Sequence, residues 1–324
     1  MKQMQKTEET LAIALRELYR GYGYQPYKMS RFEEYDLYVR NKDFLLSDSI
    51  ITFTDADGRL MALKPDVTLS IVKNCPEEKD GLRKVYYNET VYRPSKEDRS
   101  FREIMQIGLE CIGSFDTYGI SEVLSLAAKT LGVVSDSYVL DVSHVGLLSS
   151  VLRRAGVDAE TAGDLTECLH SKNGHGLLAA CLDHGVSEDH ANALLRLLNC
   201  SGSPYEARAE LTELFADAEW KQEVGAFFEA LSPLPSERIR VDFSVIHDIR
   251  YYSGVVFEGY VKGIPNRVLS GGQYDHLMRR IGKDASAIGF ALYLDALEPL
   301  LEEEPEFDAD VLLLYGEQDT AEKV

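Results

Sequence analysis

Two stretches of the chain hold residue types that could do chemistry. In FREIMQIGLECIG (Phe101–Gly113), strand alternation puts Arg102, Gln106, Gly108 and Glu110 on one face and Met105, Ile107, Leu109 and Cys111 on the other. Long polar groups on either side of a glycine that leaves space would make the floor of a ligand site. A face turned to water produces the same alternation, so the pattern alone leaves both readings open. The second stretch gathers Cys168, His170, His175, Cys181, His184, His190 and Cys200. Zinc needs such ligands at short, paired spacings. These spacings match no zinc pattern and the segment is strongly helical, so buried thiols and surface histidines are expected there and no metal site.

The elements that must position these residues follow from periodicity and punctuation. Thr7 can cap a first helix with the apolar stripe Leu11, Leu15, Leu18 and Tyr19, acidic Glu8 and Glu9 in its first turn, and Gly21 at its end. SIITFTDADGRLMAL reads as two short strands about an Asp- and Gly-rich turn, and DVTLSIVKN as a helix from about Asp66. Strands near Arg83–Arg93 and Phe101–Gly113, joined by PSKEDRS, make an antiparallel hairpin whose apolar face a helix layer should cover. From Val145 to Pro235 successive amphipathic helices predict a helical insertion. Strand signals return in ERIRVDFSVI and YYSGVVFEGYV. The glycines of SGGQYD read as a turn opening a helix, and SAIGFALYLDALEPLLEE as a last strand running into a helix. Residues 1–144 and 236–304 are thus expected to form one discontinuous core, with 145–235 inserted and 305–324 beginning a C-terminal segment of a longer parent chain.

Composition narrows the function classes. The chain has 324 residues, 45% of them hydrophobic, enough to bury a substantial core. With 34 basic and 54 acidic residues its net charge is −20, which repels a polyanion over most of the surface and disfavours extensive RNA binding. Five cysteines without a C-x-x-C pair point to reduced thiols. No export signal or membrane-spanning run is legible, so a cytoplasmic protein is expected.

Five landmarks, in order, resemble the class II aminoacyl-tRNA synthetases and specifically the histidyl enzyme. LKPDVT (Leu63–Thr68) is similar to the family's L-R-P-E-G-T, and Tyr92–Gly113 to its motif 2 loop and strand. IHDIRYYSGVVFE (Ile246–Glu258) stands where R-G-L-D-Y-Y-T-G-T-V-F-E belongs. SGGQYDHL (Ser270–Leu277) matches G-G-G-R-Y-D-x-L, and AIGFALYLDAL (Ala287–Leu297) matches motif 3. The resemblance implies an α+β fold: an antiparallel sheet of class II synthetase type flanked by helices, with a helical insertion. It also implies a pocket for free L-histidine. Asp66 and Thr68 would hold the α-amino group, and Gln106 the amino or carboxylate end. Glu110 and Tyr252 would engage the imidazole, beside a wall of Gly271, Gly272 and Tyr274.

The departures from the family pattern bear on chemistry. Adenylate formation needs fixed positive charge where negative charge develops. The arginine opening R-G-L-D-Y-Y aligns with His247, and the motif 3 arginine beside the adenine aligns with Ala296. Tyr293 replaces the motif 3 glycine that gives the nucleotide room, and Arg93 matches the motif 2 arginine as a residual phosphate contact. Ser30 stands where motif 1 has its interface proline.

A histidyl-synthetase fold with broken catalytic arginines and no complete tRNA-binding domain resembles the regulatory subunits that accompany short-form ATP phosphoribosyltransferase. The resemblance implies a non-catalytic homodimer within a larger hetero-oligomer. It would activate the catalytic subunit and confer histidine feedback, with no cofactor, membrane or tRNA as partner. The alternatives are a histidyl-tRNA synthetase core and a synthetase-like histidine sensor for another pathway.

Overall fold

The computed structural model describes residues 8–41, 50–74, 81–94, 100–246, 249 and 251–301. Helix α1 (Glu8–Gly21) buries Leu11, Leu15 and Tyr19 on one face, and Glu8 and Glu9 lie at its positive end. Strand β1 (Gln25–Pro26) follows, then β2 (Phe32–Glu34), α2 (Tyr35–Val39), β3 (Thr52–Thr54) and β4 (Leu60–Leu63). β2, β4 and β3 make a small antiparallel sheet. Its tight turn is set by Asp55, whose Oδ1 accepts from the amides of Asp57 (2.9 Å) and Arg59 (2.8 Å), while Gly58 takes φ 82°.

Helix α3 (Thr68–Asn74) leads to β5 (Leu82–Pro94) and β6 (Phe101–Gly113), an antiparallel pair in continuous register from Leu82↔Gly113 to Pro94↔Phe101. Next come α4 (Thr117–Val134) and β7 (Tyr138–His144). Six helices succeed them: α5 (Val145–Ala155), α6 (Ala159–His170), α7 (Gly174–Asp183), α8 (Glu188–Asn199), α9 (Pro204–Thr212) and α10 (Ala218–Leu231). Local caps start most of them, including Ser187 for α8, Asp217 for α10 and a reciprocal Ser203/Glu206 capping box for α9. Strand β8 (Ser201–Gly202) lies between α8 and α9. The chain then returns through β9 (Ile239–Asp242), β10 (Val255–Val261), β11 (Leu269–Gln273), α11 (Asp275–Arg280), β12 (Ser286–Tyr293) and α12 (Glu298–Leu301).

Nine strands join in the order β1-β5-β6-β12-β11-β10-β7-β9-β8. The pairings are antiparallel except β1 with β5 and β7 with β9, so the sheet is mixed rather than purely antiparallel. Segments on either side of the helical run therefore meet in one sheet: β12 inserts between β6 and β11, and β10 pairs with β7. Among the described residues no helix is long and apolar enough to cross a membrane.

The two faces of β6 have different neighbours. Ile107, Leu109 and Cys111 join one hydrophobic cluster with Leu11 and Leu15 of α1 and Val123, Leu124 and Leu131 of α4. That cluster continues into the helical run through Leu148, Leu165, Leu194 and Phe227. On the other side, Val85, Tyr87 and Ile112 pack with Ile71 and Val72 of α3 and with Leu277 and Met278 of α11. Gln106 and Glu110 are only 3% and 1% exposed, so the polar face of β6 is closed over and not turned to water.

The structure corrects one reading. Gly271 and Gly272 are not a turn but the middle of β11, paired to Phe257 and Val256 on one side and to Phe290 and Gly289 on the other. Glycine is needed there for space and not for a turn conformation. A Cβ on Gly271 would fall 2.5 Å from Cβ of Phe290, and one on Gly272 would fall 2.6 Å from the Tyr252 ring.

Candidate ligand-binding site

Glu110 is central to a convergence of polar groups enclosed within the fold. The register of β6 against β12 sets it opposite Gly289. Its Oε1 accepts from Thr68 Oγ1 at 2.7 Å, and its Oε2 accepts a short hydrogen bond from the Tyr274 hydroxyl. Burial raises its pKa to about 8, more than the two hydroxyl donors lower it, and Asp66 adds to the rise.

Asp66 is a second, largely enclosed carboxyl, its side chain 16% exposed, and its pKa is also raised by desolvation. The loop before α3 holds it, with Oδ1 accepting from the Leu69 amide at 2.8 Å. Arg93, near the end of β5, clamps the same loop. Its Nε donates to the Pro65 carbonyl at 2.7 Å, and Nη2 lies 3.9 Å from Asp66 Oδ2. Two carboxyls held above their ordinary range disfavour negative charge, and an arriving cation would relieve the strain.

Asp66, Thr68, Arg93, Gln106, Glu110, Tyr252, Gly271, Gly272, Tyr274 and Tyr293 all line one cavity of about 120 Å³. That is the scale of a single small molecule, since an engineered cavity of roughly 150 Å³ holds benzene. Tyr252 stacks edge-on against Tyr251 at 4.6 Å, and Tyr251 lies 6.2 Å from Tyr274, so three neighbouring rings form part of the wall. The arrangement pairs carboxyls with aromatic surface and hydroxyls. This chemistry suits a small cation with a flat, hydrogen-bonding side chain.

At the far end the Tyr293 hydroxyl bonds Ser270 Oγ at 2.6 Å, across β12 and β11. Tyr293 thus stands between this cavity and a second one lined by His170, Lys172, Arg240 and Asp242, among others. Ala296 lines only that second cavity of the two. His247 lies outside the described residues, as do Thr7, Cys75 and the segment 305–324.

The site also contains residues that sequence reasoning missed. Tyr87 reaches over Gly108, where a Cβ would fall 2.5 Å from its hydroxyl. Glu258, 4% exposed, accepts from Arg267 Nη1 at 2.5 Å and from the Tyr260 hydroxyl at 2.6 Å, and both Glu258 and Arg267 line the cavity. The available signal was a buried-strand alternation in VVFEGYV that sets Glu258 inward, on the same face as Val256. Three of the four histidines between 168 and 200 have other partners: His170 bonds the Ser244 carbonyl, His184 Thr161 and His190 Ser187. Among the described residues no three His, Cys, Asp or Glu side chains are grouped to hold a metal.

Comparison with known proteins bears on the family and the fold. The chain is 29% identical to the ATP phosphoribosyltransferase regulatory subunit of Symbiobacterium thermophilum, over 96% of this chain and 82% of that one. It is 28% identical to the histidine–tRNA ligase of Methanocaldococcus jannaschii, over 87% and 69%. A solved structure described as an ATP phosphoribosyltransferase regulatory subunit/histidyl-tRNA synthetase, from Bacillus halodurans C, superposes with a TM-score of 0.79 at 24% identity, covering 93% of this chain and 82% of that one. The family model for histidyl-tRNA synthetase matches residues 2–297, which with the five motifs and the sheet around Glu110 places the chain in the histidyl-tRNA synthetase family.

Proposed function

We infer that this chain is a regulatory subunit of ATP phosphoribosyltransferase that binds free L-histidine in the cavity around Glu110 and carries out no adenylation itself. In this reading Asp66 and Thr68 receive the ammonium, Gln106 the amino or carboxylate end, and Glu110 and Tyr252 the imidazole. Tyr274 holds Glu110, while Gly271 and Gly272 keep the wall thin. One observation supports the reading: Asp66, Glu110 and their hydroxyl partners line the cavity, while Tyr293, bonded to Ser270, stands at the wall shared with the second cavity, where the family resemblance would put a nucleotide and where Ala296 brings no charge.

The partner is the catalytic subunit, on which ATP and phosphoribosyl pyrophosphate react. The name of the Symbiobacterium relative supports this assignment. Histidine can regulate that partner only by binding two states of the complex with different affinity, and the coupling is reciprocal. A homodimer is part of the reading. Phe32, just after Ser30, is 47% exposed and stacks at 5.7 Å on exposed Phe53, an apolar patch that a second copy would cover.

Two assays test the proposal. Phosphoribosyl-ATP formation is measured with each subunit alone and together, with and without histidine. Histidine-dependent exchange of pyrophosphate into ATP is measured on the isolated chain. Activation and histidine sensitivity only in the mixture, with no exchange, are expected. Robust exchange would instead make the chain a synthetase core. A transferase equally active and equally histidine-sensitive alone would leave it a sensor for another pathway.

A further inference from the structure

The groups assigned so far bring a charged partner to two of the three polar ends of a free amino acid, and to the third at most the neutral amide of Gln106. The ammonium meets Asp66 and Thr68, and the side chain meets Glu110. The α-carboxylate also loses water on entering, and it needs a fixed cation in return. The cationic residues lining the cavity, among those described, are Arg93 and Arg267.

Arg93 is committed to the acid end. It is bonded to the Pro65 carbonyl and lies beside Asp66, where the ammonium must sit. Arg267 is placed differently. It belongs to the loop before β11 and, like Arg93, Glu258 and Tyr293, lines both cavities, but it is bonded to Glu258 and not to the Pro65–Asp66 loop. Tyr252 and Tyr293 line the same cavity as its guanidinium. Glu258, which also lines the cavity, fixes it: one carboxylate oxygen takes Arg267 Nη1 at 2.5 Å, the other takes the Tyr260 hydroxyl at 2.6 Å, and the side chain of Glu258 is 5% exposed. A planar guanidinium with five N–H donors can serve two carboxylates at once.

We propose that Arg267, held in place by Glu258, binds the α-carboxylate of the amino acid in this cavity and makes a free carboxylate a condition of tight binding. The proposal rests on the reading that the cavity takes free histidine. It adds a selection rule, because an amide, an ester or a decarboxylated amine would keep the ammonium and imidazole contacts and lose this one.

Calorimetry on the full chain tests it with L-histidine and with histamine, which lacks the carboxylate. The wild-type protein is expected to bind histidine at least about tenfold more tightly than histamine. Arg267→Gln should weaken histidine by about tenfold to a hundredfold and leave histamine within about threefold, and Arg267→Lys should recover part of the loss. Arg93→Gln should weaken both ligands alike. Equal wild-type affinity for the two ligands would overturn the proposal, as would an equal loss for both in Arg267→Gln. So would a carboxylate preference that disappears in Arg93→Gln instead. Wild-type protein that binds neither ligand would overturn the histidine reading itself, and the role of Arg267 with it.

Discussion

The carboxylate of Glu110 occupies the space where a side chain at Gly289 would begin. A Cβ built on Gly289 falls within 2.5 Å of both Glu110 Cδ and the Leu109 carbonyl oxygen. Gly289 is therefore what lets a buried carboxylate lie flat across β12.

Gly289→Ala is expected to expel Glu110 from this position and to destabilise the fold by about 1–3 kcal/mol, as overpacking does. Histidine binding should disappear with it. Gly225→Ala in α10 is the control, since nothing lies within 4 Å of its added methyl. That variant should gain about 0.5–1 kcal/mol. Urea denaturation measures both, and an unaffected Gly289→Ala protein would contradict the packing described.

The raised Glu110 pKa sets a pH dependence. In the folded protein the carboxyl holds its proton up to about pH 8, against an ordinary value of 4.5, so the folded state binds the extra proton between these limits. Stability from this group is full below pH 4.5 and falls as pH rises through about 8. Glu110→Gln should flatten that slope, readable as melting temperature against pH. A steeper alkaline loss in the variant would refute the assignment.

Ligand binding should follow the same proton. If imidazole and Glu110 share one proton in the complex, affinity is greatest between the imidazole pKa of about 6.5 and the Glu110 value of about 8. Binding below that window should release a proton, and binding above it should take one up. Calorimetry in buffers of different ionisation enthalpy measures this directly, and loss of the alkaline limb in Glu110→Gln would tie it to this residue.

Lys64 and Glu89 form an ion pair of 2.5 Å whose lysine is fully buried, next to the Pro65–Asp66 loop. Lys64→Ala would leave the carboxylate of Glu89, 15% exposed, without its cation and should cost about 2–4 kcal/mol. Lys64→Met with Glu89→Leu removes both charges and should recover most of that loss. A double variant no better than the single one would mean that the lysine contributes by packing.

Tyr293→Gly alone should not create nucleotide binding, because it opens space without adding charge. Tyr293→Gly with Ala296→Arg should raise ATP affinity by about tenfold over wild type, the scale of one charge-assisted contact. Equilibrium binding of ATP to the three proteins checks this. A wild-type chain that binds ATP as well as the double variant would show that Tyr293 closes nothing.

Much of this protein was decided within short stretches of its sequence. Alternation along Phe101–Gly113 puts Gln106 and Glu110 on one face whatever they pack against, and apolar spacing with local caps builds α1 and the helices from α5 to α10, because periodicity and capping act over a few residues. Only the tertiary structure decided that the face with Glu110 is buried, since closure depends on α3, Tyr274 and the Tyr251–Tyr252 rings brought from residues far along the chain. The same holds for Gly271 and Gly272, which read locally as a turn but became strand because β10 and β12 pair on both sides and leave no room for a Cβ. Arg267 and Glu258 carry no local mark of a shared site. Their pairing depends on where the turn before β11 folds against β10, and electrostatic contact across strands is set by that distance and not by spacing in sequence.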